Sequence, residues 1–154
     1  MKKLLFAFML FAVTATVFTA CKKDDDDNGT SIIGTWHMKK VVEYNLVDGE
    51  LRGDKITENV GDGAYSITFN ANGTFSDQIK TTSTDGETTE NGVHTEEGTY
   101  SFSNGQLTLK YNDEDETDIA KATVTGNSLV IVYEDDDSTS EHTIIEVTEE
   151  HYTK

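Results

Sequence analysis

Gly34-Thr35-Trp36-His37-Met38-Lys39-Lys40-Val41-Val42-Glu43-Tyr44-Asn45-Leu46 is the stretch whose reading decides the fold. Every second residue gives Trp36, Met38, Lys40, Val42, Tyr44 and Leu46, against His37, Lys39, Val41, Glu43 and Asn45. One set is mostly apolar and the other mostly polar, the period-2 pattern of a strand with one buried face. The chain's single Trp opens this strand, where a large ring can close the end of a core.

The same period recurs down the chain. Seven further strands are expected: 64–70, 74–80, 93–103, 106–111, 116–125, 128–134 and 141–148, after a first over 35–47. In the second, Tyr65, Ile67 and Phe69 share a face. In the third, Phe75, Asp77 and Ile79 do. Later faces carry Tyr100 with Phe102, Leu107 with Leu109, and Ala120, Ala122 and Val124 together. In the seventh strand Leu129, Ile131 and Tyr133 align. In the eighth, Thr143, Ile145 and Val147 stand against His142, Ile144 and Glu146. Asn72-Gly73, Asn104-Gly105 and Gly126-Asn127 supply tight turns. The polar stretch 48–62 reads as a connection, and 81–92 as either a long exposed hairpin tip or a mobile loop. No helical periodicity of useful length follows residue 31. The expected fold class is all-β: an eight-stranded antiparallel up-and-down barrel, with a two-sheet β-sandwich as the alternative for the same strand list.

The chain has 154 residues, a formal charge of −17 and no Pro. Twenty-nine acidic against 12 basic residues argue against nucleic acid as a partner, which needs clustered Lys and Arg. Hydrophobic residues are only 35%, yet 13 Phe and Tyr with the Trp suffice for a core.

The first twenty residues have a different logic. Met1-Lys2-Lys3 is basic, Leu4–Ala20 carries no charge, and small residues lead into Cys21, the sole Cys. Seventeen uncharged residues are short for a membrane span and suit a secretory signal. The end of the segment resembles a bacterial lipoprotein signal, with Phe18 where that family prefers an aliphatic residue. The resemblance implies a signal peptide over 1–20, with Cys21 acylated and starting the mature chain. A lone Cys cannot close an intramolecular disulfide. Residues 21–31, with four consecutive Asp from Asp24 to Asp27, read as a solvated tether. Consecutive carboxylates without a shaping loop are a poor Ca²⁺ site. The acidic run also resembles the surface-export signal of lipoproteins of the Bacteroidetes. It implies a chain lipid-anchored to the outer membrane and exposed at the cell surface; a monomer is expected.

Gly34-Thr35-Trp36 is similar to the Gly-x-Trp signature of lipocalins. Behind it, Asn72-Gly73-Thr74-Phe75, then Gly98-Thr99-Tyr100-Ser101-Phe102, then Asn104-Gly105-Gln106-Leu107-Thr108-Leu109 resemble in order the lipocalin-like domain of bacterial lipoproteins, over about 32–147 of an expected domain 32–154. The resemblance implies a barrel with a cavity at one end. Lipocalins also pack an Arg from near the last strand on the signature Trp, whereas the only Arg here is Arg52.

A barrel that binds a small apolar or amphipathic molecule would line its cavity with Trp36, Met38, Lys40, Val42 and Tyr44 from the first strand. Tyr65, Ile67 and Phe69 would join from the second, and Tyr100 and Phe102 from the fourth. Lys40, in phase with the apolar set, would need a carboxylate, an anion or water at the cavity mouth. The competing function is a filled barrel acting on a protein partner through 48–62 and 81–92. No enzyme is expected. His37, His94, His142 and His151 form no close pair at metal-ligand spacing, no Ser stands in a Gly-x-Ser-x-Gly turn, and no phosphate-cradling Gly loop is present, so no metal or cofactor is assigned.

Overall fold

The computed structural model describes residues 31–85, 88–112 and 117–154. The signal segment, Cys21 and the acidic run lie outside the described residues, as does part of the acidic loop before Thr117. Among the described residues nine strands follow one another: β1 (Gly34–Val47), β2 (Glu50–Asn59), β3 (Tyr65–Phe69), β4 (Thr74–Asp85), β5 (Thr88–Ser103), β6 (Gln106–Tyr111), β7 (Thr117–Thr125), β8 (Ser128–Asp136) and β9 (Ile144–Thr153). All neighbours are antiparallel, and β9 pairs back onto β1 from His37↔Thr153 to Val47↔Ile144. That last ladder closes eight strands, β1 and β3 to β9, into an up-and-down barrel and excludes the sandwich.

β2 is additional. One edge of β1 pairs with β3 over Gly34–His37 and with β2 over Lys40–Val47, so β2 takes the lane that β3 vacates. Every residue of β2 is exposed, which is why no alternation marked it and 48–62 read as a connection. The signal that was present is Asp48-Gly49. Both residues have positive φ (53° and 83°), as a two-residue hairpin turn requires. β4 and β5 likewise continue past the barrel as a long hairpin, registered out to Asp85↔Thr88. The closing strand runs to Thr153 rather than ending at 148. Its inward set from Thr148 onward is Thr148, Glu150 and Tyr152, too polar to look like a core face.

The core is packed at the end where the chain enters β1. Trp36 is fully buried, and its Nε1–H donates to the Ile32 carbonyl at 2.7 Å, so the segment before β1 crosses beneath the ring. Phe69, Phe75, Leu107, Leu129, Ala122 and Tyr152 complete this floor. Phe69 meets Tyr100 edge-on at 4.8 Å, and Phe75 meets Tyr111 at 5.0 Å.

The cation expected on the signature Trp is present, as a lysine. Lys154, just past β9, places Nζ 4.3 Å from the centre of the Trp36 ring and donates to the Ile33 carbonyl at 2.9 Å. Its Cε would lie 3.0 Å from a Cβ at Gly34, whose φ is +125°, so the glycine is needed for both backbone and space. Lys154→Ala is expected to cost about 1 kcal/mol, the scale of an exposed cation–π contact plus one hydrogen bond. Chemical denaturation checks this, with Lys154→Arg retaining most of the stability.

A bulge at Lys39 changes what the rest of β1 does. Met38 pairs with Tyr152, but Lys40 pairs with His151, so one residue drops out of register. The Lys39 carbonyl instead accepts from Val60 N at 2.9 Å. Beyond the bulge Val41 packs against the core. Lys40, Val42 and Tyr44 therefore turn to the outer face, correcting the expectation that they continue the inward line of Trp36 and Met38. Val42 and Val147 are buried there by their neighbours, outside the interior cluster.

Candidate functional site

Above the packed floor the interior turns polar. Asp77 on β4 points inward in phase with Phe75 and is only 2% exposed. Its Oδ2 accepts from the Tyr65 and Tyr111 hydroxyls at 3.2 and 3.4 Å, and its Oδ1 from Glu96 N at 3.3 Å. Across the barrel on β9, Glu150 accepts from the Tyr152 hydroxyl at 2.8 Å. Tyr133 on β8 stands beside Thr148, its partner on β9. Two carboxylates and four tyrosines thus form one polar layer inside the barrel.

Burial sets the electrostatics. It pushes the Asp77 carboxyl above the usual range, with Glu96 adding to the rise and the tyrosine hydroxyls opposing it. Glu150 is raised by burial, then by the field of Asp77 and Asp118, against the pull of Tyr152. Tyr65, Tyr111, Tyr133 and Tyr152 are all pushed up, first by burial and next by these carboxylates, so they remain hydroxyl donors.

The sign of the resulting pH dependence follows. A carboxyl whose folded pKa is raised takes up its proton in the folded state before the unfolded chain does. Its protonation therefore stabilises the fold as pH falls from neutrality toward the ordinary values of 3.8 and 4.5, and that gain is lost as pH rises through the folded pKa. Asp48, Asp62 and Asp136 are lowered and act oppositely, weakening the fold only as pH approaches and passes below 3.8. Denaturation midpoints should thus rise modestly between pH 7 and pH 5, and Asp77→Asn with Glu150→Gln should flatten the rise.

Beside this layer the barrel wall parts. The β7–β8 ladder runs from Thr125↔Ser128 to Lys121↔Val132 and stops. Continuing it would set Asp118 directly opposite Asp135 on one face, and facing like charges destabilise a strand pair. Instead Thr117 and Asp118 stay with β6, and Tyr133 to Asp136 stay with β9. The strands part around a concavity of about 380 Å³ lined by Thr117, Asp118 and Ile119 from β7, Tyr133, Glu134 and Asp135 from β8, and Thr148 from β9. Below it on the outer side, Lys121 Nζ and Glu134 Oε1 form an ion pair.

A lipocalin-like domain matches residues 32–131, about two thirds of the sequence. The chain belongs to the lipocalin-like domain family. No curated relative and no solved structure matches it. Members of this family are generally non-enzymatic binding proteins. The match ends within β8, so the closing strand of this lipocalin-like barrel, with Glu150 and Tyr152, lies beyond it.

Of the residues expected to line a cavity in this lipocalin-like barrel, Trp36, Met38, Ile67 and Phe69 are buried in the packed core. Tyr65, Tyr100 and Phe102 are half-buried against it, and of these Tyr65 donates to the buried carboxylate Asp77. Lys40, Val42 and Tyr44 face outward. Tyr44 lies under Lys55, whose Nζ is 3.7 Å from its ring centre, and hydrogen-bonds with Glu149. Asp77, Asp118, Tyr111 and Glu150 were missed as site residues. The signal for them is an acid or tyrosine in phase with an apolar face: Asp118 before Ala120 and Ala122, Glu150 before Tyr152, Asp77 between Phe75 and Ile79. The histidines pair separately at the surface or near it, His94 with Glu96, His142 with Asp48, and His151 with Glu149. Among the described residues no three His, Asp or Glu are grouped to hold a metal.

Proposed function

We propose that this protein is a lipid-anchored binding protein of the outer membrane surface, holding one small amphipathic molecule in the concavity where β7 and β8 part. The observation that carries the reading is the β7–β8 parting, which opens a cavity beside buried tyrosines and carboxylates while the opposite end is filled. The lining sets Tyr133 and Ile119 among polar and acidic groups, a mixture that suits an amphipathic rather than a wholly apolar molecule. The anchor precedes the packed end, since the described chain enters β1 beside Trp36. The opening then lies at the far end of the barrel from the attachment point.

Native mass spectrometry tests the binding part. A chain beginning at residue 21, with Cys21→Ser and purified without detergent, is expected to carry a stoichiometric small-molecule adduct that lipid extraction can name. A bare mass, with no uptake of an apolar fluorescent probe, contradicts it. For the anchor, Cys21→Ala is expected to abolish incorporation of a fatty-acid label and release the protein from membranes. Undiminished label in the variant rejects the lipoprotein reading.

A protein-interaction role is the second reading, and β2 favours it. Its pairing is with β1 alone, and it presents Leu51 and Ile56 at 48% and 59% exposure. Such an edge can accept an added strand. Loss of a crosslinked surface partner on replacing Leu51 and Ile56 with Lys would support this role; retention would argue against it.

A further inference from the structure

We propose that the Trp36 end of the barrel docks on the anionic lipid headgroups of the membrane that holds the anchor, with the acidic rim turned away. The inference rests on the lipid-anchored reading above and adds the face that meets the membrane and the lipid charge it selects.

Three observations carry it. The first is where the charge lies. An up-and-down barrel puts alternate turns at opposite ends, so the turns at 70–73, 104–105 and 126–127 share one end with the chain's entry at Gly34 and its exit at Thr153. The segments that run into and out of this end, 31–40, 65–76, 98–112, 119–133 and 151–154, contain five lysines and no Asp or Glu. The opposite rim gathers carboxylates, among them Asp48, Glu50 and the run Asp135 to Asp137. Turn geometry does not impose this division, because Asn-Gly and Asp-Gly supply the same positive φ. The Trp36 end uses the amides, in Asn72-Gly73 and Asn104-Gly105, where the rim uses Asp48-Gly49.

The second is the distance between the two ends. Asp136 closes β8 eight residues beyond Ser128, roughly 26 Å along the strand and about 20 Å along the axis at the usual tilt. The Debye length at physiological salt is about 8 Å. With the Trp36 end down, the acidic rim therefore stands beyond about two screening lengths from the headgroups. Inverted, the rim meets an anionic surface directly and is repelled. Lys39 and Lys121 are matched by Asp62 and Glu134, so Lys40, Lys110 and Lys154 set the sign of the docking end as positive. The third is the attachment. Ser31 follows Cys21 by ten residues, a span no longer than about 35 Å, and the chain then passes beneath the Trp36 ring into β1. Inverting the barrel would use more than half of that reach to pass along its side. Ile33 is 45% exposed at this end, and Lys154 Nζ holds its carbonyl. An aliphatic side chain beside a cation suits the headgroup boundary.

The test uses the mature lipidated chain, whose Cys21 thiol is taken up by the anchor, floated with phosphatidylcholine–phosphatidylglycerol vesicles. A thiol-reactive fluorophore is placed at the Trp36 end through Ser103→Cys or Thr125→Cys, and at the rim through Glu50→Cys or Glu141→Cys. All four side chains are exposed. A lipid with a nitroxide on its headgroup quenches the labels that touch the surface. Quenching at the Trp36 end is expected to exceed that at the rim about threefold or more, and the ratio is expected to fall toward one in high salt. Asn72→Asp, Asn104→Asp, Gln106→Glu and Asn127→Asp together add charge to this end without adding volume, and are expected to bring the ratio to about one. An unchanged denaturation midpoint verifies that this quadruple variant is folded. Flotation with equal quenching at both ends, or with stronger quenching at the rim, overturns the docking face and leaves the anchor standing. A ratio unchanged in the quadruple variant, or unchanged on phosphatidylcholine alone, overturns anionic lipid as the partner. Failure to float removes the anchored reading and the docking face with it.

Discussion

Replacing Trp36 with alanine is expected to destabilise the barrel by about 3–5 kcal/mol, the cost of deleting a large buried aromatic and leaving its cavity. Three interactions fail together. The ring is fully buried among the residues of the packed floor. Its Nε1–H is the partner of the Ile32 carbonyl, which would be left in an apolar setting. Lys154 would lose the face it covers, and with it part of the tie between the chain end and β1. Trp36→Phe keeps most of the volume and loses the hydrogen bond, so its cost is expected near 1–2 kcal/mol. Equilibrium denaturation of the two variants separates filling from hydrogen bonding. An unchanged midpoint for Trp36→Ala would place the ring outside the core.

Gly98→Ala is expected to be nearly as damaging, although it adds only one carbon. Gly98 lies opposite Phe75 on β4 and Tyr111 on β6, whose rings meet edge-on over it. A Cβ built there would stand 2.2 Å from the Lys110 carbonyl oxygen and 2.6 Å from Phe75 Cε1. The ring can move, but the carbonyl belongs to the β5–β6 ladder and cannot. The expected cost is about 3 kcal/mol, the upper part of the range for overpacking. Because the closer clash is with backbone, combining Gly98→Ala with Phe75→Leu should not restore stability. A full rescue by that pair would show that the ring alone excludes the side chain. The position is one where a glycine in a strand marks a close approach rather than a flexible turn.

These two positions also show how the sequence carries the fold. Trp36 was legible because its strand alternates cleanly, and Gly98 because it precedes an alternating Thr-Tyr-Ser-Phe run. The interior order of β3 to β8 followed from the same alternation. What alternation cannot show is a place where the period slips. The bulge at Lys39 has no compositional mark, and it moves Lys40, Val42 and Tyr44 from the inner to the outer face by one residue's shift. Nor can it show a strand with no buried face: β2 is held by pairing with β1 and by the Asp48 turn, whose Oδ1 accepts from Thr143 N at 3.0 Å and whose Oδ2 meets His142 Nδ1 at 2.9 Å.

The candidate site was harder to read for a related reason. Its residues are polar side chains on inward positions, and a hydrophobic pattern reads them as interruptions. Asp77, Asp118 and Glu150 break three apolar faces at about the same height, a coincidence that only the barrel's register brings together. The tyrosines were visible as core material, but their hydroxyls gain meaning from the carboxylates they meet. The β7–β8 opening depends on a ladder that ends early, before the register would bring Asp118 opposite Asp135, and that register appears only in the paired strands.

The central claim is that the barrel is filled at the Trp36 end and receptive at the β7–β8 opening, and the single Trp makes it testable in one measurement. Nitrogen–proton correlation spectra of the labelled Cys21→Ser chain from residue 21, recorded with and without a saturating apolar fluorescent probe, report both ends at once. The expected result is shifts concentrated at the amides of Asp118, Tyr133, Asp135 and Thr148, with the Trp36 indole N–H unmoved. A shift of the indole signal with the β7–β8 amides unchanged would place the ligand at the end we describe as closed and would contradict the account.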